Sequence, residues 1–362
     1  MFIHLHVHSA FSFLDGGSSI EKLVRRAAEL DMPALALTDH DNLCGAVKFS
    51  AQAQKAGIKP IQGVEVTLEN GHHLTLLARN PEGYRNLCRM LTAAHLEYPR
   101  RHPRVLLQNL KRHGDGLIAL SGCRRGEISY HLLRGNYSRA YRAALTYLDI
   151  WGSRDFYLEM QDSYLPGNVQ LNANLERLAR KLGVGLVVTN NVHYASPDDF
   201  MVHDILSCVR TLTRVDGIHP DRPLNAENYL KTPREMELLF KEYPEALANT
   251  WRIAERCEPA LDLSTPHFPN FDLPPGQKAE SLLRELVYQG AYQRYEGIST
   301  ALQERLEHEL AVINTLGYTD YFLVVWDIVK YARSQGISHA GRGSAANSVV
   351  AYCLGLTEVD AM

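Results

Sequence analysis

The chain has 362 residues, 45% of them hydrophobic and 22% charged, with a formal net charge of −3 at pH 7. This composition is ordinary for a globular protein, and the near-neutral charge gives no global sign of nucleic-acid binding. No run approaches the roughly 18 consecutive apolar residues that a membrane-spanning helix needs, so we predict a cytoplasmic protein with no membrane partner.

The first two hundred residues alternate short apolar runs, typical of strands, with amphipathic stretches, typical of helices. The predicted strands cover 2–8, 34–38, 60–66, 73–78, 117–120, 156–160 and 186–189. The predicted helices cover 19–30, 45–56, a segment starting near 81, 137–150 and 168–182. Such repeated alternation with continuously apolar strands favours a parallel sheet, either open or closed into a barrel.

After residue 200 the pattern is mostly helical. A proline-rich stretch over 266–276 is the best candidate for a linker, and long helices are predicted over 279–296, 299–315 and 320–335. We therefore predict two domains, residues 1–270 and 271–362. The dense basic run over 100–104 is either a solvated loop or a patch that contacts phosphate.

Polar residues of the types that bind metals gather near the ends of the predicted strands. They are His4, His6 and His8 on the first strand, Asp15 after it, then Asp39, His40, Glu65, His72, His73, Cys123, Asn191 and His193. Alternation along a strand predicts that the first three histidines share one face. Most of the set lies at strand carboxyl ends, where catalytic groups gather in α/β barrels, whereas His73 begins its strand.

This mixture of residue types predicts a metal centre. Neutral imidazoles and a thiolate suit Zn²⁺ or a similar transition metal, and carboxylates can bridge neighbouring ions. Two or three such ions would deprotonate water near neutral pH and neutralise a phosphate, which is the chemistry of phosphoester hydrolysis. Taken alone, Cys123 could be a buried thiol like the other five cysteines, and His4 and His72 fit supporting or surface roles better.

Several short motifs resemble the successive motifs of the PHP family, in particular its branch at the amino terminus of bacterial DNA polymerase III alpha subunits. The motifs are His6-Val7-His8-Ser9 with Asp15-Gly16, Thr38-Asp39-His40-Asp41, Gly63-Val64-Glu65, His73-Leu74-Thr75-Leu76-Leu77-Ala78, Ser121-Gly122-Cys123 and Asn191-Val192-His193-Tyr194. Residues 318–327 and 341–348 are similar to the start of the polymerase palm, so the resemblance covers essentially the whole chain.

The resemblance implies an α/β fold, a distorted seven-stranded β/α (TIM-like) barrel, followed by a mostly helical segment that begins the palm. It also implies up to nine metal ligands around three ions. Carried over by position, the ligands are His6, His8, Asp15, His40, Glu65, His73, Cys123, Asn191 and His193, with Asp39 as a candidate supporting residue. The family usually has aspartate where this chain has Asn191, and a neutral amide binds cations more weakly. We therefore expect two or three divalent ions, Zn²⁺ or Mn²⁺, with Mg²⁺ as a third candidate.

The palm-like segment resembles the part of the family that handles nucleotides. Gly341, Arg342, Gly343 and Ser344 resemble the loop that holds the phosphates of the incoming nucleotide or of the primer end. The resemblance places the catalytic aspartates for nucleotidyl transfer beyond Met362, so the residues given are not expected to polymerise DNA by themselves. Implied partners are DNA and other subunits of a polymerase holoenzyme.

The resemblance leaves three functions open for the barrel. The first is metal-dependent phosphoester hydrolysis in DNA replication or repair synthesis, with a 3′–5′ exonuclease as the candidate activity. The second is a non-catalytic module, stabilised by metal, that supports the polymerase. The third is a phosphatase for a small molecule, against which the palm-like segment argues.

Overall fold

The computed structural model describes residues 2–265 and 268–362, and contacts within it divide the chain into two compact units, Met1–Leu263 and Ser264–Met362. The predicted linker over 266–276 begins with Pro266 and His267, which lie outside the described residues. The domain boundary at residues 270 and 271 stays a prediction, and it falls within the second of these units.

A curled sheet forms the centre of the first unit. In the described part of the chain its strands are β1 (Ala34–Leu37), β2 (Lys59–Thr67), β3 (His73–Ala78), β4 (Leu117–Leu120), β5 (Phe156–Met160) and β6 (Gly185–Val188), in that spatial order. The pairs β1–β2, β4–β5 and β5–β6 are parallel, but β3 is antiparallel to both of its neighbours. The expectation of a parallel sheet is therefore wrong for β3. The short connection over 68–72 has no room for the crossover helix that a parallel pair requires.

Helices cover the outside of this sheet. They are α1 (Ile20–Glu29), α2 (Ala46–Lys55), α3 (Pro81–Glu97), α4 (Leu107–His113), α5 (Glu127–Leu133), α6 (Tyr137–Asp155), α7 (Asn168–Leu182), α8 (Phe200–Thr211), α9 (Pro233–Leu239) and α10 (Pro244–Arg256). One buried cluster joins the outer face of the sheet to α3, α6 and α7, while an inner cluster that includes Leu5, Ile61, Leu77, Ile118 and Val187 fills the space that the sheet encloses. The α/β class and the TIM-like barrel are confirmed.

Residues 2–8 close the barrel between β1 and the chain after β6. On one side, Ala36 N–H donates to His4 O at 3.0 Å, and on the other, His8 N–H donates to Val192 O at 2.7 Å. The segment forms only the isolated bridge Val7–Val192 rather than a regular strand. The residues that close the barrel are therefore those predicted as its first strand, with an irregular backbone.

This irregular backbone places His4 apart from the other two histidines of the segment. Leu5 packs in the inner cluster and its neighbour His6 also points inward, toward Glu159, so the alternation of faces is interrupted between them. The ring of His4 is fully buried against Phe2, and its Nε2 lies 2.9 Å from Lys231 O. The expectation that His4 shares a face with His6 and His8 is wrong.

The second unit is helical. Its helices are α11 (Ala279–Arg294), α12 (Thr300–Thr315), α13 (Thr319–Ser334) and α14 (Val349–Cys353). Leu302, Leu306 and Leu310 recur at four-residue intervals on α12 and pack with Leu283 and Val350 in one core. The first three helices match the predicted ones to within two residues at each end. Across residues 2–265 and 268–362, no helix is long and apolar enough to cross a membrane.

Candidate metal centre

One rim of the barrel collects the side chains that the sequence singled out. His40 follows β1 and pairs with Glu65 near the end of β2, while Cys123 follows β4 and His193 follows β6. His73 opens β3, and because β3 runs antiparallel, its beginning lies at the rim where the other strands end. His73 differs from the other candidate ligands by beginning its strand, and the reversed direction of β3 explains this difference.

Glu65 lies at the middle of this rim and is fully buried. Its Oε2 lies 3.2 Å from His40 Nδ1, 3.2 Å from His73 Nδ1 and 3.6 Å from His8 Nε2, and its Oε1 lies 3.4 Å from His6 Nε2. Within the described part of the chain, neither carboxylate oxygen has a hydrogen-bond partner of good geometry. A buried carboxylate without donors is costly, so this arrangement calls for a cation among the five side chains.

Three imidazoles direct Nε2 into the site, because a hydrogen bond on the far side of the ring holds Nδ1. His6 Nδ1 lies 2.7 Å from Glu159 Oε1, an acceptor, so Nδ1 carries a proton and Nε2 is the atom available to a metal. His193 Nδ1 is 2.8 Å from Asn191 O, a carbonyl that can only accept, so Nδ1 donates to it and Nε2 faces Asp15 Oδ2 at 3.0 Å. Metal-binding histidines are commonly oriented by such a hydrogen bond on the far side of the ring.

His8 is oriented by a longer chain of hydrogen bonds. The Ser12 hydroxyl donates to Asp39 Oδ1 at 2.7 Å, so it must accept from His8 Nδ1, which is 3.0 Å away. His8 Nε2 is then bare, and it lies only 3.2 Å from His6 Nε2 and 3.2 Å from Asn191 Oδ1. A divalent ion can bind all three of these atoms once His6 Nε2 has lost its proton. Asp39 thus contacts the site through Ser12.

Asp15 forms the other end of the site. Its Oδ2 lies 3.0 Å from His193 Nε2 and 3.2 Å from His40 Nε2, and its Oδ1 pairs with the guanidinium of Arg210. Asn191 is in the left-handed region with φ 44°, a conformation that asparagine and aspartate adopt more readily than most residues. This end therefore holds one paired carboxylate and one neutral amide.

The electrostatics of the metal-free site depend on burial and on these contacts. Burial alone would lower the pKa of His6, but Glu159 and Glu65 outweigh it and raise that pKa to about 10. Burial opposes ionisation of Glu65, yet the surrounding histidines hold its pKa well below the usual value. Burial and the charge of Glu65 raise the pKa of the Cys123 thiol well above its usual value, and its Sγ is 3.8 Å from His73 Nδ1. Cys123 can act as a thiolate only if a cation is bound nearby.

The donor set fits a centre for divalent ions. Overlapping triplets of donor atoms lie within 4.8 Å of one another: His6, His8 and Glu65; His8, His40 and His193; and His40, Glu65 and His73. Atoms that each lie about 2.0–2.2 Å from a shared ion have separations of this order. Among residues 2–265 and 268–362, none of these triplets includes Asp15 or Cys123, although Asp15 Oδ2 lies 3.0 Å from His193 Nε2 and 3.2 Å from His40 Nε2.

Two charged residues of this site, Glu159 and Arg210, were missed in the sequence, as were Ser12 and His203. Glu159 interrupts the apolar β5 strand, and a carboxylate inside a buried strand was a signal that could have found it. Arg210 lies in the last turn of α8, and nothing in its local sequence distinguishes it from a surface arginine.

The other predicted positions lie away from these contacts. His72 is half-buried beside Tyr130, with ring centroids 4.5 Å apart and the rings tilted by 53°. Gly341, Arg342, Gly343 and Ser344 belong to the second unit, where Arg342 and Ser344 are exposed and Gly343, at φ 64°, begins a short 3-10 turn. The loop is thus open to solvent ahead of α14.

Comparisons with known proteins identify both units. The PHP domain matches residues 4–163, and the bacterial DNA polymerase III alpha NTPase domain matches residues 281–362. The chain is 54% identical to an error-prone DNA polymerase of Symbiobacterium thermophilum, across 100% of this chain and 35% of that protein. It is 39% identical to the DNA polymerase III subunit alpha of Treponema pallidum, across 99% of this chain and 32% of that protein.

A solved structure from Bifidobacterium adolescentis, described as a candidate metal-dependent phosphoesterase, is similar with a TM-score of 0.40 and 14% identity, over 65% of this chain and 95% of that one. The chain spans about a third of the length of the curated relatives that it matches. It belongs to the family of bacterial DNA polymerase III alpha subunits and error-prone DNA polymerases, with their PHP domain in its first unit and part of their NTPase domain in its second.

Proposed function

We propose that the PHP unit holds a centre of divalent ions that hydrolyses phosphoester bonds at the 3′ end of DNA, as part of a cytoplasmic polymerase. The observation that carries the proposal is the convergence of imidazole nitrogens on the two oxygens of Glu65, to which no described residue donates a hydrogen bond of good geometry. The ligands proposed are His6, His8, Asp15, His40, Glu65, His73, Cys123, Asn191 and His193. Zn²⁺ and Mn²⁺ suit this nitrogen, sulfur and oxygen set best.

In this proposal the metal ions and the surrounding side chains have different roles. Divalent ions bound there supply Lewis-acid chemistry, because they acidify water and neutralise the charge of a phosphoester. Glu65 lies at the middle of the site, and Glu159 and Ser12 keep Nε2 of His6 and of His8 pointing into it. The rim position leaves the site reachable, since His40 retains 24% of its side-chain exposure.

The activity is tested with single-stranded DNA labelled at its 3′ end. We expect Mn²⁺ or Zn²⁺ to support stepwise release of nucleotides, EDTA to abolish it, and Glu65→Gln to lower it at least a hundredfold. Glu69→Gln is a matched control, because Glu69 is exposed and lies four residues away on the same segment. Metal-loaded protein that releases no nucleotides would rule out the exonuclease.

A second candidate is a metal-stabilised module without catalysis. Asn191 favours it, because a neutral amide replaces the charged ligand usual in the family, and Asp15 is already paired with Arg210. Loss of thermal stability on chelation, with no hydrolysis to lose, would support this candidate. A small-molecule phosphatase is less well supported, since the NTPase-like unit has no role in it.

The partners proposed for this chain are those expected of a whole polymerase. DNA and other subunits of a holoenzyme are the expected ones. The exposed loop of Gly341, Arg342, Gly343 and Ser344 is proposed to contact phosphates of the nucleotide or primer.

A further inference from the structure

The Asp15 end of the centre already contains a fixed positive charge. The Arg210 guanidinium pairs with Asp15 Oδ1, while Oδ2 faces His193 and His40. Only one oxygen of this carboxylate is therefore directed at the histidines. The other oxygen, Oδ1, is bound by the Arg210 guanidinium.

This pairing is held from both sides. Asp15 N–H donates to Ser12 O at 3.0 Å, and Asp15 O lies 2.6 Å from His203 Nδ1, which must donate to it. Arg210 lies about two helical turns beyond His203 on α8, so the same helix fixes the backbone of Asp15 and supplies the guanidinium. These hydrogen bonds fix the backbone of Asp15, and the contacts of its carboxylate with Arg210, His193 and His40 fix the side chain.

The charges at the two ends of the centre differ. Around Glu65, the carboxylate is joined by Cys123, which becomes a second anion when a metal binds its sulfur. At the other end, the negative charge of Asp15 is balanced by Arg210, and Asn191 adds none. The remaining groups there, His8, His40 and His193, are neutral when they act as ligands. A divalent ion is therefore favoured at the Glu65 end and opposed at the Asp15 end.

We infer that the Arg210 guanidinium takes the place of a metal ion at the Asp15 end, so that the chain holds two ions where three would otherwise bind. The inference rests on the proposed metal centre and specifies its composition. A guanidinium keeps its charge at all ordinary pH values and has several N–H donors, of which Asp15 uses part. With 33% of its side chain exposed, Arg210 can also present donors to a phosphate at the rim.

Position 191 can hold an aspartate with little strain. Asparagine and aspartate are the non-glycine residues that best tolerate the positive φ found there, and they have nearly the same shape. Asn191→Asp adds one negative charge, and Arg210→Gln removes the opposing positive one. Together they change the charge of this end by two without altering the other end.

The test counts metal ions in the 362-residue chain by elemental analysis after loading with Mn²⁺ or Zn²⁺ and removal of free metal. We expect two ions in the wild type, two in Asn191→Asp, and three in the Asn191→Asp/Arg210→Gln double variant. The charge-preserving double variant Asn191→Asp/Arg210→Lys should stay at two. Arg210→Met in place of Arg210→Gln keeps the aliphatic stem, and it serves if the glutamine variant does not fold.

Each outcome decides the inference. Three ions in the wild type, or no gain in either folded double variant relative to Asn191→Asp, overturns it. A third ion in the lysine variant also overturns it, because the charge would then not matter. Wild-type protein that binds no metal refutes the proposed function instead, and the comparison between variants still decides the role of Arg210.

Discussion

Glu159→Gln isolates the contribution of a charge that touches no metal. Glu159 Oε1 accepts from His6 at 2.7 Å, from Gln161 Nε2 at 2.9 Å and from the Thr189 hydroxyl, whereas its Oε2 has no partner among the described residues. A glutamine with its oxygen in the place of Oε1 keeps all three donors. The substitution therefore removes the charge and preserves the geometry.

The size of the effect follows from this arrangement. Changes in groups that orient metal-binding histidines typically weaken metal binding by 10- to 100-fold, or roughly 1.4 to 2.7 kcal/mol. Because glutamine still accepts from His6, we expect the lower end, about tenfold weaker binding of Zn²⁺. Glu159→Ala leaves His6 Nδ1 without its acceptor and should reach about a hundredfold.

The assay is a Zn²⁺ titration in competition with a chromogenic chelator, with circular dichroism to verify folding. Glu69→Gln provides the matched surface control. Equal dissociation constants for the wild type and both Glu159 variants would refute the reasoning. So would an equal loss in glutamine and alanine variants, since the hydrogen bond to His6 would then contribute nothing.

Further predictions concern protons, pH and DNA. His6 has a pKa of about 10 and the pKa of Cys123 is raised, so metal binding at pH 7.5 should release protons; calorimetry in buffers of different ionisation enthalpy measures this, and no dependence on the buffer would contradict it. Burial lowers the pKa of His4 to about 4. Between pH 6.5 and pH 4, His4 is therefore protonated in the unfolded chain but not in the folded one. Stability should therefore fall by up to about 3 kcal/mol as the pH drops from 6.5 to 4, and urea titrations should show that His4→Gln lacks this part of the loss. Arg342→Ala should weaken DNA binding, reduce the slope of log affinity against log salt by about one, and leave the metal content unchanged; an unaltered slope in anisotropy titrations would exclude a phosphate contact.

Much of the architecture could be predicted from the sequence, because the spacing of apolar residues and the residues that end strands and helices determine it. Apolar runs separated by amphipathic stretches predicted the strands, and their carboxyl ends correctly indicated which rim would collect His40, Glu65, Cys123 and His193. The direction of β3 was missed, although the five-residue connection before it already excluded a helical crossover. The positions of the strand ends therefore predicted the site better than the assumption that all strands are parallel predicted the sheet.

The parts that could not be predicted depend on contacts between distant residues. His4 follows the same alternation as His6 and His8 in the sequence, but closure of the barrel interrupts that alternation, and only the folded chain shows it. The pairing of Arg210 with Asp15 joins residues 195 positions apart. A surface-like arginine on a helix carries no local sign of such a partner.

Closure of the barrel by residues 2–8 also affects when the site can form during protein synthesis. His8 and Asn191 are 183 positions apart, so a ribosome adding roughly 5–20 residues per second separates their appearance by about 10 to 40 s. Throughout that interval the histidines of the first segment belong to an open nascent chain, and unfolded histidines bind transition metals by themselves. We therefore expect metal loading to begin during translation, before the barrel exists, and the availability of metal in the cell at that moment to influence which ion the finished site contains.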